Sequence, residues 1–326
     1  TMYKNVKKIL PGYLLQYDLI SDRFVQKKYF IESKIQLKNN FSENQWIDKL
    51  DHLLNKAVKR QLMSDVPIGF FLSGGIDSSL IVAIAKKLNP NKEINCFTIK
   101  TSTSKGIEGF EDDLPYARMV ANHLGVKLHE VPINNEIFKK DIDKMIYYLD
   151  EPQADIAPLN VQVICKKAKS LGIKVLIGGV GGDDLFSGYR RHRAIILENK
   201  IKFIPNFILK FFKNLLKIFP SRIPFFRRLK KLTRDWDKNP NERLFGFFNW
   251  LPNDKFIEEL VNKKLMNIDP YEYFKDIIKS EDHKSLLYKM LLLEQKTFLI
   301  DHNLNYTDKM SMVEGIEARV PFLDID

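Results

Sequence analysis

The spacing of apolar residues changes twice along the chain, and these changes predict its organisation. In residues 1–40, short apolar runs beside the turn at 11–13 indicate strands at Tyr13–Leu15 and Phe24–Phe30. From Phe41 to about Met63 the apolar residues recur at helical spacing, with Ser42 at the N-cap position. From about residue 195 the spacing is helical again, and prolines interrupt it at Pro205, Pro220, Pro224, Pro240 and Pro252.

Between these regions, short apolar strands alternate with helices. Strands are predicted at Ile68–Leu72, Ile94–Ile99, Lys127–Val131 and Lys174–Ile177. The predicted helices run to Leu88, from Asp112 or Asp113 to Leu124, and near 135–149 and 159–171. This alternation predicts an α/β fold, with a parallel sheet covered by helices on both faces, followed by a mainly helical part. Ligands bind such sheets beyond the carboxyl ends of the strands, where this chain carries two glycine-rich segments.

Composition narrows the class of protein. The 326 residues are 44% hydrophobic, which allows a full core. The sequence has no uncharged apolar run of about 18 residues, the length that a membrane crossing requires. Cys96 and Cys165 are too few for a disulfide framework, so we expect reduced thiols in the core. These features are typical of a cytoplasmic enzyme.

The net charge of +11 comes from one segment. Lys200–Arg234 holds eleven Lys or Arg residues and no acid, interleaved with phenylalanines. Because the remaining chain is balanced, we expect no general nucleic-acid-binding surface. Two interpretations stay open for the basic segment of about 195–250. Its helices either cover the core with their cations in water, or make weak contact with an anionic membrane surface.

The first glycine-rich segment, Ser73–Ser79, follows the first predicted strand. Its glycines let the backbone approach an anion, and the following helix offers free N–H groups. Asp77 would repel phosphate unless a cation lay between them, so we interpret it as a Mg²⁺ ligand. The Gly-Lys-Ser/Thr of a Walker A loop is absent. The alternative is an ordinary strand–turn–helix corner that Asp77 caps.

Three motifs in this order resemble one known family. SGGIDS at 73–78 resembles the pyrophosphate-binding motif of the N-type ATP pyrophosphatases. The longer DVPIGFFLSGGIDSSLIVAIA at 65–85 is similar to the synthetase domain of glutamine-hydrolysing asparagine synthetases. GGVGGDDLFSGY at 178–189 and TDKMSMVEGIEARVPFLD at 307–324 resemble the second and the C-terminal motifs of that family. The resemblance implies an adenine nucleotide alpha hydrolase-like fold, and ATP cleavage between the α and β phosphates.

The resemblance also implies roles for particular residues. By this resemblance, the residues expected to contact ATP or pyrophosphate are Phe71, Ser73, Gly74, Gly75, Asp77, Ser78, Ile99, Gly178, Gly179 and Lys309. Asp77 and Asp183 would share Mg²⁺, and both would act in catalysis with Lys309, which stabilises charge on the adenylation transition state. Helix capping by Asp183, surface solvation of Lys309 and core packing of Ile99 are the alternatives. Glu151 and Asp155, in a segment similar to DEPFADPSA, either recognise substrate or cap a loop.

Val180 departs from the family pattern. Relatives usually carry an acid there, near the acyl-adenylate, where it is thought to accept a proton as ammonia attacks. Valine cannot accept a proton, so three explanations stay open. Another acid, Asp184 or Glu314, substitutes for it, the acceptor differs from aspartate, or amide formation is impaired.

The leading hypothesis is an asparagine synthetase-type ligase. Aspartate or a similar carboxylate is adenylated by ATP, and ammonia from glutamine then displaces AMP. Residues 1–40 would be the end of a glutaminase domain and its linker, and 41–326 the synthetase domain, with glutamine hydrolysis placed upstream of this chain. Rival hypotheses are amidation of a sugar uronic acid, a tRNA-modifying enzyme with the same loop, and a non-catalytic nucleotide-binding relic. The sequence leaves the oligomeric state open, a homodimer included.

Overall fold

A computed structural model describes residues 1, 3–30, 41–101, 113–153, 155–201, 204–220, 222–236, 238–249 and 269–326. Near the N-terminus, β1 (Tyr13–Asp18) and β2 (Arg23–Lys28) form an antiparallel hairpin. This hairpin confirms the strands predicted there. The predicted linker at 31–40, the predicted cap Asp112 and Pro252 lie outside the described residues.

A five-stranded parallel sheet forms the centre of the fold. Its strands are β3 (Ile68–Phe71), β4 (Asn95–Thr101), β5 (Lys127–Ile133), β6 (Val175–Ile177) and β7 (Glu317–Arg319). Their order is β5-β4-β3-β6-β7, with every pair parallel. The predicted fold class and four of the strands are confirmed. The fifth strand, β7, is a finding of the structure, because three residues are too few to show an alternating pattern.

Helices cover both faces of the sheet. α1 (Glu43–Gln61), α2 (Ile76–Leu88) and α3 (Leu114–Leu124) pack on one face, and α4 (Asn135–Leu149) and α5 (Ala157–Ser170) on the other. Successive strand residues point to opposite faces, as the pleat requires. The buried Phe70 and Cys96 therefore join one core cluster, and their neighbours Phe71 and Phe97 lie against the other. Ser42 caps α1 through a capping box, as predicted.

The described residues after β6 are mainly helical, as expected. Their helices are α6 (Gly182–Phe186), α7 (Arg190–Ile201), α8 (Asn206–Ile218), α9 (Pro224–Thr233), α10 (Pro240–Phe248), α11 (Glu272–Ile278), α12 (Leu286–Leu293), a π-helix (Glu294–Leu304) and α13 (Asn305–Val313). Single 3₁₀ turns lie at Lys279–Glu281 and Pro321–Leu323. A third core cluster, which includes Ile195, Phe245 and Met290, holds several of these helices together.

Two further expectations concern thiols and membrane spans. Cys96 and Cys165 are buried and unpaired, and burial raises the pKa of each thiol to about 12. The prediction of reduced core thiols is confirmed. Within the described ranges, no helix combines the length and the apolar character needed to cross a membrane.

Candidate active site

The two glycine-rich loops interlock at the carboxyl edge of the sheet. One loop follows β3 and leads into α2, and the other follows β6 and leads into α6. A Cβ atom on Gly179 would lie 2.8 Å from the backbone nitrogen of Ser78 and 2.9 Å from Cβ of Asp77. A Cβ atom on Gly182 would overlap the Asp77 carboxylate. The approach of the two loops therefore requires glycine at 179, where the contact is with backbone, whereas a side chain at 182 would displace the Asp77 carboxylate.

Hydroxyl groups brace the first loop from within. The Oγ atoms of Ser73 and Ser78 lie 3.0 Å apart, Gly75 N donates to Ser73 Oγ, and Ser78 Oγ donates to Gly75 O. Gly74 has a φ of 89° and packs so closely on the start of α3 that a side chain would clash there. Gly75 is the N-cap of α2 and has no side chain to bond the first N–H groups. These groups and the helix dipole can bind an anion.

The loops border a cavity of about 830 Å³. This volume lies within the usual range for ligand-binding pockets, about 300–1,000 Å³, and is large enough for a nucleotide. Eight of the predicted site residues line it: Phe71, Ser73, Gly75, Asp77, Ser78, Gly178, Gly179 and Asp183. Gly74, Ile99 and Lys309 do not belong to the lining. Ile99 packs against the core cluster that contains Phe97 and Val131.

Asp77 and Asp183 interact electrostatically within this cavity. Burial and then the charge of Asp183 raise the pKa of Asp77 to about 6. Burial also raises the pKa of Asp183, although His192 and Arg191 oppose the shift. A cation between the two carboxylates would remove this cost of desolvation and repulsion. In the described part of the chain, no cluster of three or more His, Cys, Asp or Glu side chains is arranged to hold a metal. Two carboxylates suit Mg²⁺, which binds through one or two of them together with substrate phosphates and water.

Lys309 lies outside the cavity lining, and its ammonium is bound to the end of α4. Its Nζ donates to Leu149 O at 2.8 Å and to Asp150 Oδ2 at 2.6 Å. These contacts join α13 to the C-terminal end of α4, where Asp150 adopts a φ of 61°. The Asp150 side chain is 64% exposed, so this ion pair contributes only about 0–1 kcal/mol. A phosphate group could replace it at small cost.

The structure separates the two acids that could substitute at Val180. Val180 and Asp184 both line the cavity. Glu314 caps α13 away from the lining, with Lys144 Nζ at 3.6 Å and Lys169 Nζ at 4.0 Å from its carboxylate. Asp184 is only 1% exposed, and burial followed by the charge of Glu294 raises its pKa to about 6. Of these two acids, only Asp184 faces the cavity.

A buried polar network on the cavity wall was not foreseen from the sequence. Tyr189 Oη donates to Asp184 Oδ2 at 3.2 Å, and Asn303 Nδ2 donates to Tyr189 Oη at 3.0 Å. Within the described residues, Asp184 Oδ1 is buried without a hydrogen-bond partner. An unsatisfied buried carboxylate oxygen is costly and is typical of a site that a ligand completes. Tyr189 lies inside a quoted motif, which was the available signal, whereas Asn303 lies in no recognised pattern.

The π-helix supplies Asn303 together with two ring side chains. Phe298 and His302 line the cavity, stacked with ring centroids 4.5 Å apart. Such wide turns are rare and recur at functional sites. Helical periodicity gave no sign of this turn. Its residues are therefore findings of the structure alone.

Arg191 and Glu294 fix the π-helix to α7. Arg191 donates to both carboxylate oxygens of the fully buried Glu294, and its guanidinium lies over the rings of Tyr189 and Phe298, at 4.1 and 4.7 Å from their centroids. His192 Nε2 lies 3.2 Å from the same carboxylate. A planar, bidentate cation suits this stacked position. The pair holds the network-bearing elements together.

The two acids of the segment after α4 have different surroundings. Asp155 lines the cavity and accepts a hydrogen bond from Ala157 N at 3.0 Å, at the start of α5. Glu151 lies outside the lining and pairs with Lys8 at 2.6 Å. Loop capping is therefore observed for Asp155, and only this acid also faces the cavity.

This chain is similar to known proteins of one family. The family model described as Asparagine synthase matches residues 49–326. Asparagine synthetase [glutamine-hydrolyzing] 1 of Bacillus subtilis is 29% identical, over 99% of this chain and 49% of the relative. A putative asparagine synthetase [glutamine-hydrolyzing] 2 of Methanocaldococcus jannaschii is 26% identical, over 92% of this chain and 51% of the relative. Asparagine synthetase B of Escherichia coli is 32% identical over 47% of this chain. The chain spans about half the length of the first two relatives.

Proposed function

The chain belongs to the asparagine synthase family, and on this premise we propose that it is the ATP-using part of a glutamine-dependent amidotransferase. A carboxylate oxygen of aspartate attacks the α phosphate of ATP, and pyrophosphate leaves. Ammonia then attacks the acyl-adenylate, loses a proton and displaces AMP, so that asparagine forms. Adenylation makes this route favourable because it converts the carboxylate into a good electrophile.

One observation carries the proposal: Asp77 and Asp183 both line the cavity between the two glycine-rich loops, where burial and then the charge of Asp183 raise the pKa of Asp77. Each carboxylate follows a glycine-rich loop whose backbone N–H groups would bind phosphate oxygens. Asp77 and Asp183 would hold Mg²⁺, which supplies charge neutralisation for the departing pyrophosphate. The N–H groups at the start of α2 and the hydroxyls of Ser73 and Ser78 would bind the phosphates directly.

Lys309 is assigned to the same step. Its ammonium would leave the exposed carboxylate of Asp150 and stabilise the charge that builds on pyrophosphate. Phe71, Gly178 and Gly179 would contact the nucleotide from the sheet side of the cavity. Ile99 and Gly74 support this wall from behind, by packing against the core and against α3.

The nitrogen source and the domain boundaries are part of the proposal. Residues 1–40 would form the end of a glutaminase domain and its linker, and 41–326 the synthetase domain, in a cytoplasmic enzyme. The curated relatives are about twice as long as this chain, which supports a separate glutamine-hydrolysing domain. Lys8 extends from the first segment to Glu151 and Asp301, at 2.6 and 3.2 Å. These ion pairs would help orient the two domains.

Val180 favours a second candidate acceptor. It places an apolar side chain on the cavity wall, at the position where the family resemblance implies an acid. The same adenylation and amidation on a different carboxylate, such as a sugar uronic acid, is therefore the alternative.

Measurement of pyrophosphate release from ATP with aspartate and with uronic acids tests the proposal and separates the two acceptors. We expect release to depend on one class of carboxylate, on Mg²⁺ and on Asp77. An Asp48→Asn variant, altered on the exposed surface of α1, serves as the matched control. Absence of carboxylate-dependent release with every acid tried, in a folded protein, would favour the nucleotide-binding relic.

A further inference from the structure

The helices α8 and α9 form a basic hairpin, residues 206–233, that has an unusually apolar surface. α8 packs on α9, the rings of Phe219 and Phe226 stack at 4.4 Å, and Lys230 Nζ donates to Phe219 O at 2.6 Å. These contacts hold the two helices against each other. The described residues of α8 and α9 therefore form one structural unit.

One stripe of α8 exposes large apolar side chains. Phe207, Phe211 and Ile218 are 72%, 65% and 78% exposed. At 3.6 residues per turn they project within about 40° of one another. Leu209, on another side of the helix, is buried against the protein. The exposed stripe is thus separate from the face that α8 contributes to its own fold.

The apolar surface continues around the connection into α9. Phe219 and Ile223 are partly exposed, and Phe225 is 64% exposed. Soluble proteins rarely expose so many neighbouring large apolar side chains without a binding partner.

The positive charge of this segment indicates an anionic partner. Lys200–Arg234 contains eleven basic residues and no acid, and Lys210 and Arg222 are exposed beside the apolar stripe. A surface that combines clustered cations with protruding Phe and Ile side chains matches an anionic lipid bilayer. Its headgroups attract Lys and Arg, and its acyl boundary accepts the rings. A protein partner would need a similarly large acidic and apolar surface.

We propose that the basic hairpin docks this protein on the surface of anionic membranes. Phe207, Phe211 and Ile218 enter the headgroup–acyl boundary, and the flanking cations bind lipid phosphates. The docking is peripheral, and it is independent of the reaction proposed for the cavity.

Sedimentation of the 326-residue chain with vesicles tests this proposal. The vesicles are pure phosphatidylcholine, or phosphatidylcholine mixed with phosphatidylglycerol. We expect binding to the mixed vesicles that weakens as salt is added. The variant Phe207→Ser/Phe211→Ser/Ile218→Ser should lose it. The matched control Met63→Ser/Met119→Ser/Ile146→Ser, altered at exposed apolar residues elsewhere, should keep it.

A second pair of variants tests the electrostatic part. Lys210→Glu/Arg222→Glu should weaken binding to the mixed vesicles roughly 25-fold or more, because each cation near an anionic surface contributes about fivefold. Lys87→Glu/Lys92→Glu makes the same charge change on exposed residues elsewhere and should have little effect. Circular dichroism of every variant confirms that it is folded.

Two outcomes would overturn the proposal. One is that the wild-type chain does not bind mixed vesicles, or that the folded triple serine variant binds them as strongly as the wild type does. The other is a wild-type oligomer in light scattering that this variant converts to a monomer, without vesicle binding, since the stripe would then be a protein interface. ATP–pyrophosphate exchange is measured separately, so failure of docking and failure of the proposed reaction are distinguishable.

Discussion

Gly179 and Asp77 belong to different loops, yet a Cβ atom on Gly179 would lie 2.9 Å from Cβ of Asp77. The two loops follow β6 and β3, which are neighbours in the sheet. Parallel pairing brings the carboxyl ends of these strands to one edge, and the missing side chain allows the final approach. The electrostatic interaction of Asp77 with Asp183 depends on this contact.

Alanine substitutions at two glycines should separate loop packing from phosphate binding. Gly179→Ala places a methyl group against the backbone of Ser78, so we expect a loss of about 1–3 kcal/mol in the free energy of unfolding, together with loss of ATP–pyrophosphate exchange. Gly75→Ala meets only Ser73 Oγ, at 3.4 Å, and Gly75 has an ordinary φ of −67°. It should unfold like the wild type but lose exchange, because Gly75 lines the cavity. Equal effects of both changes on urea unfolding would contradict this distinction.

Lys309→Met should slow ATP–pyrophosphate exchange strongly while the fold persists. Loss of one group that stabilises transition-state charge typically lowers the rate about 10²–10³-fold. Asp150→Asn is the matched control, because it breaks the same ion pair and leaves the ammonium in place. We expect near wild-type exchange from it. If Asp150→Asn impaired exchange as severely as Lys309→Met, the ion pair itself would be the important feature, and Lys309 would be structural.

The ion pair between Arg118 of α3 and Glu130 of β5 should make the free energy of unfolding depend on pH. Arg118 and Lys100 hold the pKa of Glu130 at about 2, below its usual 4.5. Ionised Glu130 therefore stabilises the fold above pH 4.5, and this contribution disappears as the pH falls towards 2. Because the pair is partly exposed, we expect Glu130→Gln to cost only about 1 kcal/mol at neutral pH.

Urea unfolding at several pH values checks this expectation. The curves of wild type and Glu130→Gln should converge as the pH falls from 4.5 to 2. Arg118→Gln removes the same bidentate contact, at 2.6 and 2.8 Å, so the double variant should lose less than the sum of the two single losses. A constant difference between wild type and Glu130→Gln across this range would show that the ion pair does not stabilise the fold.

The sequence predicted the parts of the fold that depend on local patterns. Period and turn residues located β3 to β6, and helical spacing with Ser42 at the N-cap position located α1, because each of these signals lies within a few neighbouring residues. It could not locate β7, whose three residues have no pattern of their own and pair only because β6 lies beside them. The sequence did not predict the π-helix for a similar reason, because its wider turn depends on tertiary contacts such as that of Arg191 with Glu294.

The candidate site was predicted in part for the same physical reason. Ser73, Asp77 and Asp183 lie in the glycine-rich segments and first helical turns that come shortly after β3 and β6, so the position of these strands in the sheet places them at the cavity. Asn303 lies far along the chain from the loops, and only the folded chain brings it to Tyr189. The ion pair of Lys309 with Asp150 joins two residues that lie far apart along the chain. The motif that contains Lys309 therefore could not predict it.

Calorimetric titration of the chain with ATP and Mg²⁺ tests the central claim most directly, using Asp77→Asn, Asp183→Asn and the double variant. If both carboxylates hold one ion on the nucleotide, each single change should remove most of the Mg²⁺-dependent affinity. The second change should then add little, giving a strongly non-additive cycle. Additive losses, or Mg²⁺-dependent binding that survives in the double variant, would show that the two aspartates do not share a metal-bound nucleotide.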